Sequence, residues 1–225
     1  KTLDSYKARR GHFRILDVPA RRYLMIDGSD DPNSTPQFAA SIETLYPVAY
    51  KLKFASSREL GRDYVVPPLE GLWWADDMST FTGARDKGRW SWTLMLMVPE
   101  WIGEDLLDAA VLEAGATKPP PRLADLRTES LAEGSCVQTL HHGPFDDEGP
   151  VLARMHDVEI PARGLRMTGR HHEIYLGDPR RTAPERPTIQ DAADQALTNG
   201  VRVRDVFTAV EAITSAGGNA VVMSS

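Results

Sequence analysis

The chain has 225 residues, 41% of them hydrophobic, which is enough to bury a core as one large domain or as two fused half-domains. Its 26 lysines and arginines against 32 aspartates and glutamates give a formal net charge of -6 without a basic stripe. That balance disfavours direct nucleic-acid binding, which needs concentrated positive charge. The single Cys136 excludes an internal disulfide, and the sequence lacks both an apolar run of about 18 residues and an apolar signal-peptide core. We therefore expect a globular cytoplasmic protein, a monomer or homodimer, without a membrane partner.

The first predicted elements follow the order β-α-β-β. Residues 13–28 favour a strand that closes in a turn, and a helix follows, capped by Ser34 or Thr35 with Pro36 in its first turn. We expect Pro47 to kink or break that helix. Residues 64–76 and 90–99 predict two strands joined by a polar loop that contains Gly83 and Gly88. The apolar stripe of the helix consists of Phe38, Ile42, Leu45, Ala49 and Leu52.

The second half repeats this pattern after a helix at residues 103–114 and a proline-rich link at 118–121. Residues 126–142 predict a strand pair, or one bent strand broken at Gly134, before a short helix at 145–156 and a strand at 165–176. The pattern predicts an α+β fold made of a duplicated β-α-β-β module, with halves at about 12–117 and 122–186. Helices would pack on one side of an antiparallel sheet.

Residues 187–225 differ in composition and rhythm from the rest of the chain, and we treat them as a C-terminal extension of uncertain role. Residues 191–216 favour a helix in two pieces, broken near Asn199 and Gly200. The apolar residues Val206, Phe207, Val210 and Ile213 would form its stripe.

The strand at residues 170–176 contains the main candidate for catalysis. Strand alternation places His171, Glu173 and Tyr175 on one face. A carboxylate in a mostly apolar strand is costly to bury unless it has a partner, so Glu173 either serves a pocket as a general base or pairs with an arginine at an exposed edge. The sequence leaves both alternatives open.

Aromatic residues give a second signal, because all five tryptophans lie between residues 73 and 101. Adjacent Trp73 and Trp74 must point to opposite faces of a strand, and at least one of them is expected to line a cavity. With Trp92, they would suit a flat aromatic or cationic ligand, although tryptophans also fill ordinary cores. Glu70 is a second, weaker acidic candidate for ligand binding.

Cofactor chemistry has no support in the sequence. Adjacent histidines on a strand diverge, so the pairs at 141–142 and 171–172 each offer at most one ligand to a shared metal. Cys136 lies among apolar neighbours, and neither a Gly-x-Ser-x-Gly motif nor a phosphate-binding glycine loop is present. We expect no cofactor and no metal.

Three stretches in this order resemble the stand-alone GyrI-like small-molecule-binding proteins: LYPVAYKLKF at residues 45–54, LEGLWW at 69–74 and HHEIYLGDPRR at 171–181. The resemblance covers about residues 6–186. It implies a duplicated β-α-β-β module of the SHS2 type with pseudo-two-fold symmetry and a central hydrophobic pocket. It also implies that Glu173 is the pocket glutamate and Tyr175 its neighbouring tyrosine.

Two functions follow from the resemblance. Some of the stand-alone members that this sequence resembles hydrolyse the cyclopropane of DNA-alkylating antibiotics of the yatakemycin and CC-1065 type, and this hydrolysis gives resistance. In this interpretation Glu173 would activate water, Tyr175 would donate a hydrogen bond, and the ligand would contact His171, Glu70 and the tryptophans. The alternative is a binding protein that sequesters drugs without turnover. Because no helix-turn-helix precedes the domain, a transcription regulator is not expected.

Overall fold

The computed structural model describes residues 3–76, 86–142 and 147–176, together with the backbone of a strand at 206–215. Within these residues the chain forms three α-helices, α1 (Pro36–Leu60), α2 (Glu104–Gly115) and α3 (Gly149–Ala153). The strands are β1 (Arg14–Val18), β2 (Arg21–Ser29), β3 (Leu69–Trp74), β4 (Ser91–Val98), β5 (Arg127–Leu131), β6 (Gly134–His142), β7 (Leu165–Tyr175) and β8 (Val206–Ser215). The predicted α+β class with antiparallel pairing is confirmed.

The described chain divides into two compact units, which we name after their buried glutamates. The Glu70 unit is Ala20–Ala132, and the Glu173 unit combines Lys1–Pro19 with Glu133–Ser225. The strand order is β3-β4-β2-β5 in the Glu70 unit and β1-β6-β8-β7 in the Glu173 unit. Read from the strand that follows the helix, the two orders are equivalent, as expected for a duplicated module.

The outer strand of each unit comes from the chain segment just before the other module. β1 pairs with β6, and β5 pairs with β2, both antiparallel. The chain therefore divides near residues 19 and 132, whereas the sequence placed the division at the proline-rich stretch. That stretch lies inside the Glu70 unit, where Arg122 binds the hydroxyl groups of Ser41 and Thr44 on α1.

Helix α1 begins as predicted, with Thr35 as N-cap and Pro36 in the first turn. Of the two predicted effects of Pro47, the break does not occur, because the helix continues to Leu60 and ends at Gly61, which has a φ of 63°. A kink at Pro47 stays a prediction. Pro47 removes the hydrogen bond to the carbonyl of Glu43, but both residues are exposed, so water can replace that donor. The predicted stripe packs on the sheet through Ile42, Leu45, Ala49 and Leu52, all buried.

Several other predicted boundaries change. The opening strand of residues 13–28 is two strands, β1 and β2, and residues 64–68 of the next predicted strand are not part of β3. The short second helix is α3 followed by a π-helical turn at Arg154–Glu159. The two alternatives for residues 126–142 resolve into separate strands, β5 and β6, which lie in different units.

The largest correction concerns the C-terminal region. Residues 206–215 form strand β8 and not a helix. β8 pairs with β6 on one side and with β7 on the other. Its backbone N–H and C=O groups can therefore form hydrogen bonds with a neighbouring strand on both sides. A central position of this kind outweighs the local preference of an ambiguous sequence. The predicted helical residues 191–205 and 216, like Gly83, Phe145 and the motif residues 177–181, lie outside the described residues.

None of the helices in the described ranges has the length and apolar content that crossing a bilayer requires.

Candidate functional site

Strand β7 brings three of the predicted site residues together. After a register irregularity between Met167 and His171, the strand pairs regularly with β8, where Glu173 lies opposite Ala209. Regular alternation from this point places His171, Glu173 and Tyr175 on one face. We call these three residues the Glu173 cluster.

Both carboxylate oxygens of Glu173 are engaged. The Tyr175 hydroxyl donates to Oε2 at 2.7 Å, and the Nε2 of His171 lies 3.1 Å from Oε1. All three residues are buried, with 3% of His171, 4% of Glu173 and 7% of Tyr175 exposed. Glu173 therefore does not lie on an exposed edge beside an arginine, and its partners are the two neighbours on its own face.

An ionised carboxylate has about four lone-pair positions, so two hydrogen bonds leave acceptor capacity at Glu173. Hydrogen bonds to a charged group contribute about 1.5–3 kcal/mol each. The ring of His156, from the π-helical turn, meets the ring of His171 edge-on with 6.5 Å between centroids. The cluster can hold a negative charge in a fixed position and still accept a proton or a ligand donor.

The opposite face of β7 has a structural role. Nδ1 of His172 lies 3.0 Å from both carboxylate oxygens of Glu133, and Ile174 packs with Val18 and Cys136 in an apolar cluster. Cys136 is fully buried, in agreement with its interpretation as a small core residue. The two faces of one strand thus separate the candidate chemistry from the core.

Glu70 is buried to the same extent as the Glu173 cluster, with 1% exposed. It lies on the face of β3 that carries Leu72 and Trp74, and its register partner on β4 is Met95. Leu72 and Met95 belong to an apolar cluster against which Trp74 packs. Glu70 is therefore a carboxylate within an apolar face and not a solvated residue at a loop edge.

Trp73 and Trp92 lie on the other face of β3 and β4. They are register partners, and Phe38 of α1 stacks on Trp73 at 6.2 Å and meets Trp92 edge-on at 5.3 Å. Trp92 has no exposed surface, and Trp73 has 5%. Of the adjacent pair, Trp74 shares its face with Glu70, whereas Trp73 belongs to the aromatic core beneath α1. The roles of these residues as ligand contacts stay predictions.

Sequence reasoning missed two residues that share a face with Glu173. Thr139 and His141 of β6 are buried, and register through β8 relates them to Glu173 and Tyr175. Alternation in β6 placed the two on one face of their own strand, but only the order β6-β8-β7 shows that it is the face of the Glu173 cluster. In the described part of the chain, no three histidine, cysteine or acidic side chains gather as a metal site.

Comparison with known proteins adds three findings. The family described as the GyrI-like small molecule binding domain matches residues 12–189. The crystal structure of an uncharacterized conserved protein from Listeria innocua is similar with a TM-score of 0.74 and 30% identity, covering 93% of this chain and 95% of that chain. That of a hydrolase from Listeria innocua is similar with a TM-score of 0.71 and 29% identity, over 93% and 95% of the two chains.

A short stretch is similar to a different protein. Over 38 residues, the chain is 79% identical to the tryptophan synthase alpha chain of Nocardia farcinica. The match covers 17% of this chain, which spans only 14% of the length of that relative. So short a match carries over neither an activity nor a site.

Proposed function

Because the chain belongs to the family of GyrI-like small-molecule-binding domains, we propose that it binds flat aromatic small molecules at the Glu173 cluster and hydrolyses an activated cyclopropane. The substrates are DNA-alkylating antibiotics of the yatakemycin and CC-1065 type, and ring opening would give resistance. No cofactor takes part in this proposal.

The observation that carries the proposal is the buried, doubly hydrogen-bonded carboxylate of Glu173. Burial strengthens electrostatic interactions, and the bonds from Tyr175 and His171 orient the carboxylate before a ligand arrives. Similarity to a hydrolase over 95% of its length supports a hydrolytic reaction.

The reaction requires few catalytic groups, because release of ring strain and aromatisation of the substrate drive it. The three-membered ring of these compounds is fused to a dienone. The water oxygen bonds to the ring methylene carbon as the strained C–C bond breaks, and that electron pair enters the dienone to form a phenolate. Glu173 accepts the proton of the water and returns it to the phenolate, so substrate and water combine without other products. Tyr175 holds Glu173 in position and can stabilise developing charge.

The test is to incubate the purified protein with CC-1065 and follow the ring-opened product, heavier by one water molecule, by mass spectrometry. We expect Glu173→Gln, which keeps the shape and removes the base, to slow turnover by about 100-fold or more, the usual contribution of general base catalysis. The matched control is Glu133→Gln, the same change at the buried carboxylate on the opposite face of β7, which should retain turnover in the folded fraction.

Turnover by Glu173→Gln at the wild-type rate would overturn the assigned role. An inactive wild type that still binds CC-1065 would point to the second candidate function, sequestration without turnover. The same hydrogen-bonded carboxylate also supports that alternative, because a carboxylate held by two hydrogen bonds suits a counter-charge for a cationic ligand. Binding of ethidium, a planar aromatic cation, then decides it: Glu173→Gln should weaken binding markedly, and Glu133→Gln should not.

A further inference from the structure

Strand register places Thr139 in one row with Glu173. Ala209 of β8 is the register partner of Thr139 on β6 and of Glu173 on β7. Directly opposed residues in antiparallel strands point to the same face, so Thr139 and Glu173 share the face of the Glu173 cluster. The two residues are separated by two strand spacings, roughly 10 Å between Cα atoms.

The hydroxyl of Thr139 has no hydrogen-bond partner among the described residues, although the residue is 0% exposed. The other buried hydroxyl side chains of the described chain all have partners. Ser41, Thr44 and Ser56 donate to backbone carbonyls, and Thr93 donates to Asp27. A buried hydroxyl without a partner is destabilising, so the exception at Thr139 calls for a group that the described residues do not supply.

We propose that Thr139 is a positioning residue of the Glu173 site, where its Oγ1 binds the same water molecule, or ligand donor group, that Glu173 binds. A threonine hydroxyl can accept a hydrogen bond as well as donate one, whereas an ionised carboxylate only accepts. A water molecule between the two residues gives one hydrogen to Glu173 and the other to Thr139. Its lone pairs then point away from the sheet, toward a substrate above this face.

This inference rests on the proposed function only for the identity of the substrate. If the protein hydrolyses a cyclopropane, Thr139 orients the attacking water. If it only binds, Thr139 and Glu173 together select ligands that carry N–H or O–H donors. In both cases the pair requires donors that a purely apolar ligand lacks.

The test uses Thr139→Val, which keeps the shape and removes the hydroxyl, and Thr139→Ser, which restores it. With CC-1065 as substrate, we expect Val to lower kcat roughly tenfold with little change in KM, as for the loss of one hydrogen bond, and Ser to recover most of the rate. We also expect the melting temperature of the unliganded Val variant to equal or exceed that of the wild type. If the hydroxyl had only a structural role, Thr139→Val would instead have a lower melting temperature than the wild type. Its kcat would then be unchanged, or would fall only in proportion to the unfolded fraction.

A second measurement remains decisive if the wild type has no hydrolase activity. A high-resolution crystal structure of the wild type should show an ordered water within hydrogen-bond distance of Thr139 Oγ1 and a Glu173 oxygen. The structure of Thr139→Val should lack that water. A wild-type structure in which Oγ1 contacts only protein atoms would overturn the inference. An inactive wild type with the bridging water present would overturn the proposed hydrolysis and leave Thr139 as a ligand-positioning residue.

Discussion

At the scale of single residues, β7 shows how one strand serves two purposes. Its odd-numbered residues from His171 to Tyr175 form a polar cluster around a carboxylate, while Ile174 on the other face joins the apolar core. Alternation within the strand predicts this separation directly. It does not predict that the hydrogen-bond partners of the carboxylate are its neighbours on the same face, because the reach of a side chain depends on the conformation that burial imposes.

His142, at the end of β6, offers a prediction about pH. Burial lowers the pKa of His142, and the nearby charges of Arg10 and His141 add to the effect. A histidine whose folded pKa lies below its unfolded value near 6.5 binds protons more readily when unfolded, so folded-state stability falls as pH drops through that range. We expect the melting temperature to fall between pH 7.5 and 5, and to fall less in His142→Gln. Equal losses in both proteins over that interval would show that His142 does not contribute.

At the scale of elements, the aromatic core of the Glu70 unit depends on a glycine. Gly28 on β2 is the register partner of Trp92 on β4, whose ring lies across the glycine Cα. A Cβ at this position would lie 2.1 Å from Cη2 of Trp92, much too close for van der Waals contact. The ring occupies the volume of the missing side chain, and Phe38 of α1 packs on its edge.

We therefore expect Gly28→Ala to lower the free energy of unfolding by about 1–3 kcal/mol, the usual cost of overpacking a core. The indole must move, which disturbs its packing with Phe38. Urea denaturation followed by tryptophan fluorescence measures the effect. Gly88→Ala is the matched control, because the nearest atom to its Cβ is an Asp86 oxygen at 3.5 Å, an ordinary contact. Equal stability of the two variants would contradict the close approach at Trp92.

At the scale of the whole molecule, strand β8 completes a sheet. β8 is the central partner of β6 and β7, the strands that carry Thr139 and the Glu173 cluster. The family match ends at residue 189, before β8 begins. A strand outside the matched residues thus holds together the two strands of the candidate site.

Truncation after Gln190 removes β8 and leaves the facing edges of β6 and β7 without their ladders. We expect this variant to aggregate or to lose a cooperative transition in circular dichroism melts, because unpaired edges and exposed apolar surface favour association. The matched variant ends after Ser215 and keeps the strand, and it should melt cooperatively. If the shorter chain melts like the longer one, the C-terminal region is an appendage and β8 is not needed for folding.

The sequence by itself determined the elements whose signals are local. It predicted the start and apolar stripe of α1, the repeated order of strands and helices, and the shared face of His171, Glu173 and Tyr175, because caps, periodicity and alternation are properties of short segments. Tertiary structure alone decided what depends on neighbours distant along the chain. Residues 206–215 form a strand because β6 and β7 offer hydrogen-bond partners on both sides. Pro47 is tolerated inside α1 because it lies on the exposed side of the helix. The strand order places Thr139 on the same face as Glu173. In each case, hydrogen-bond partners or solvent access supplied by other elements outweighed the local preference.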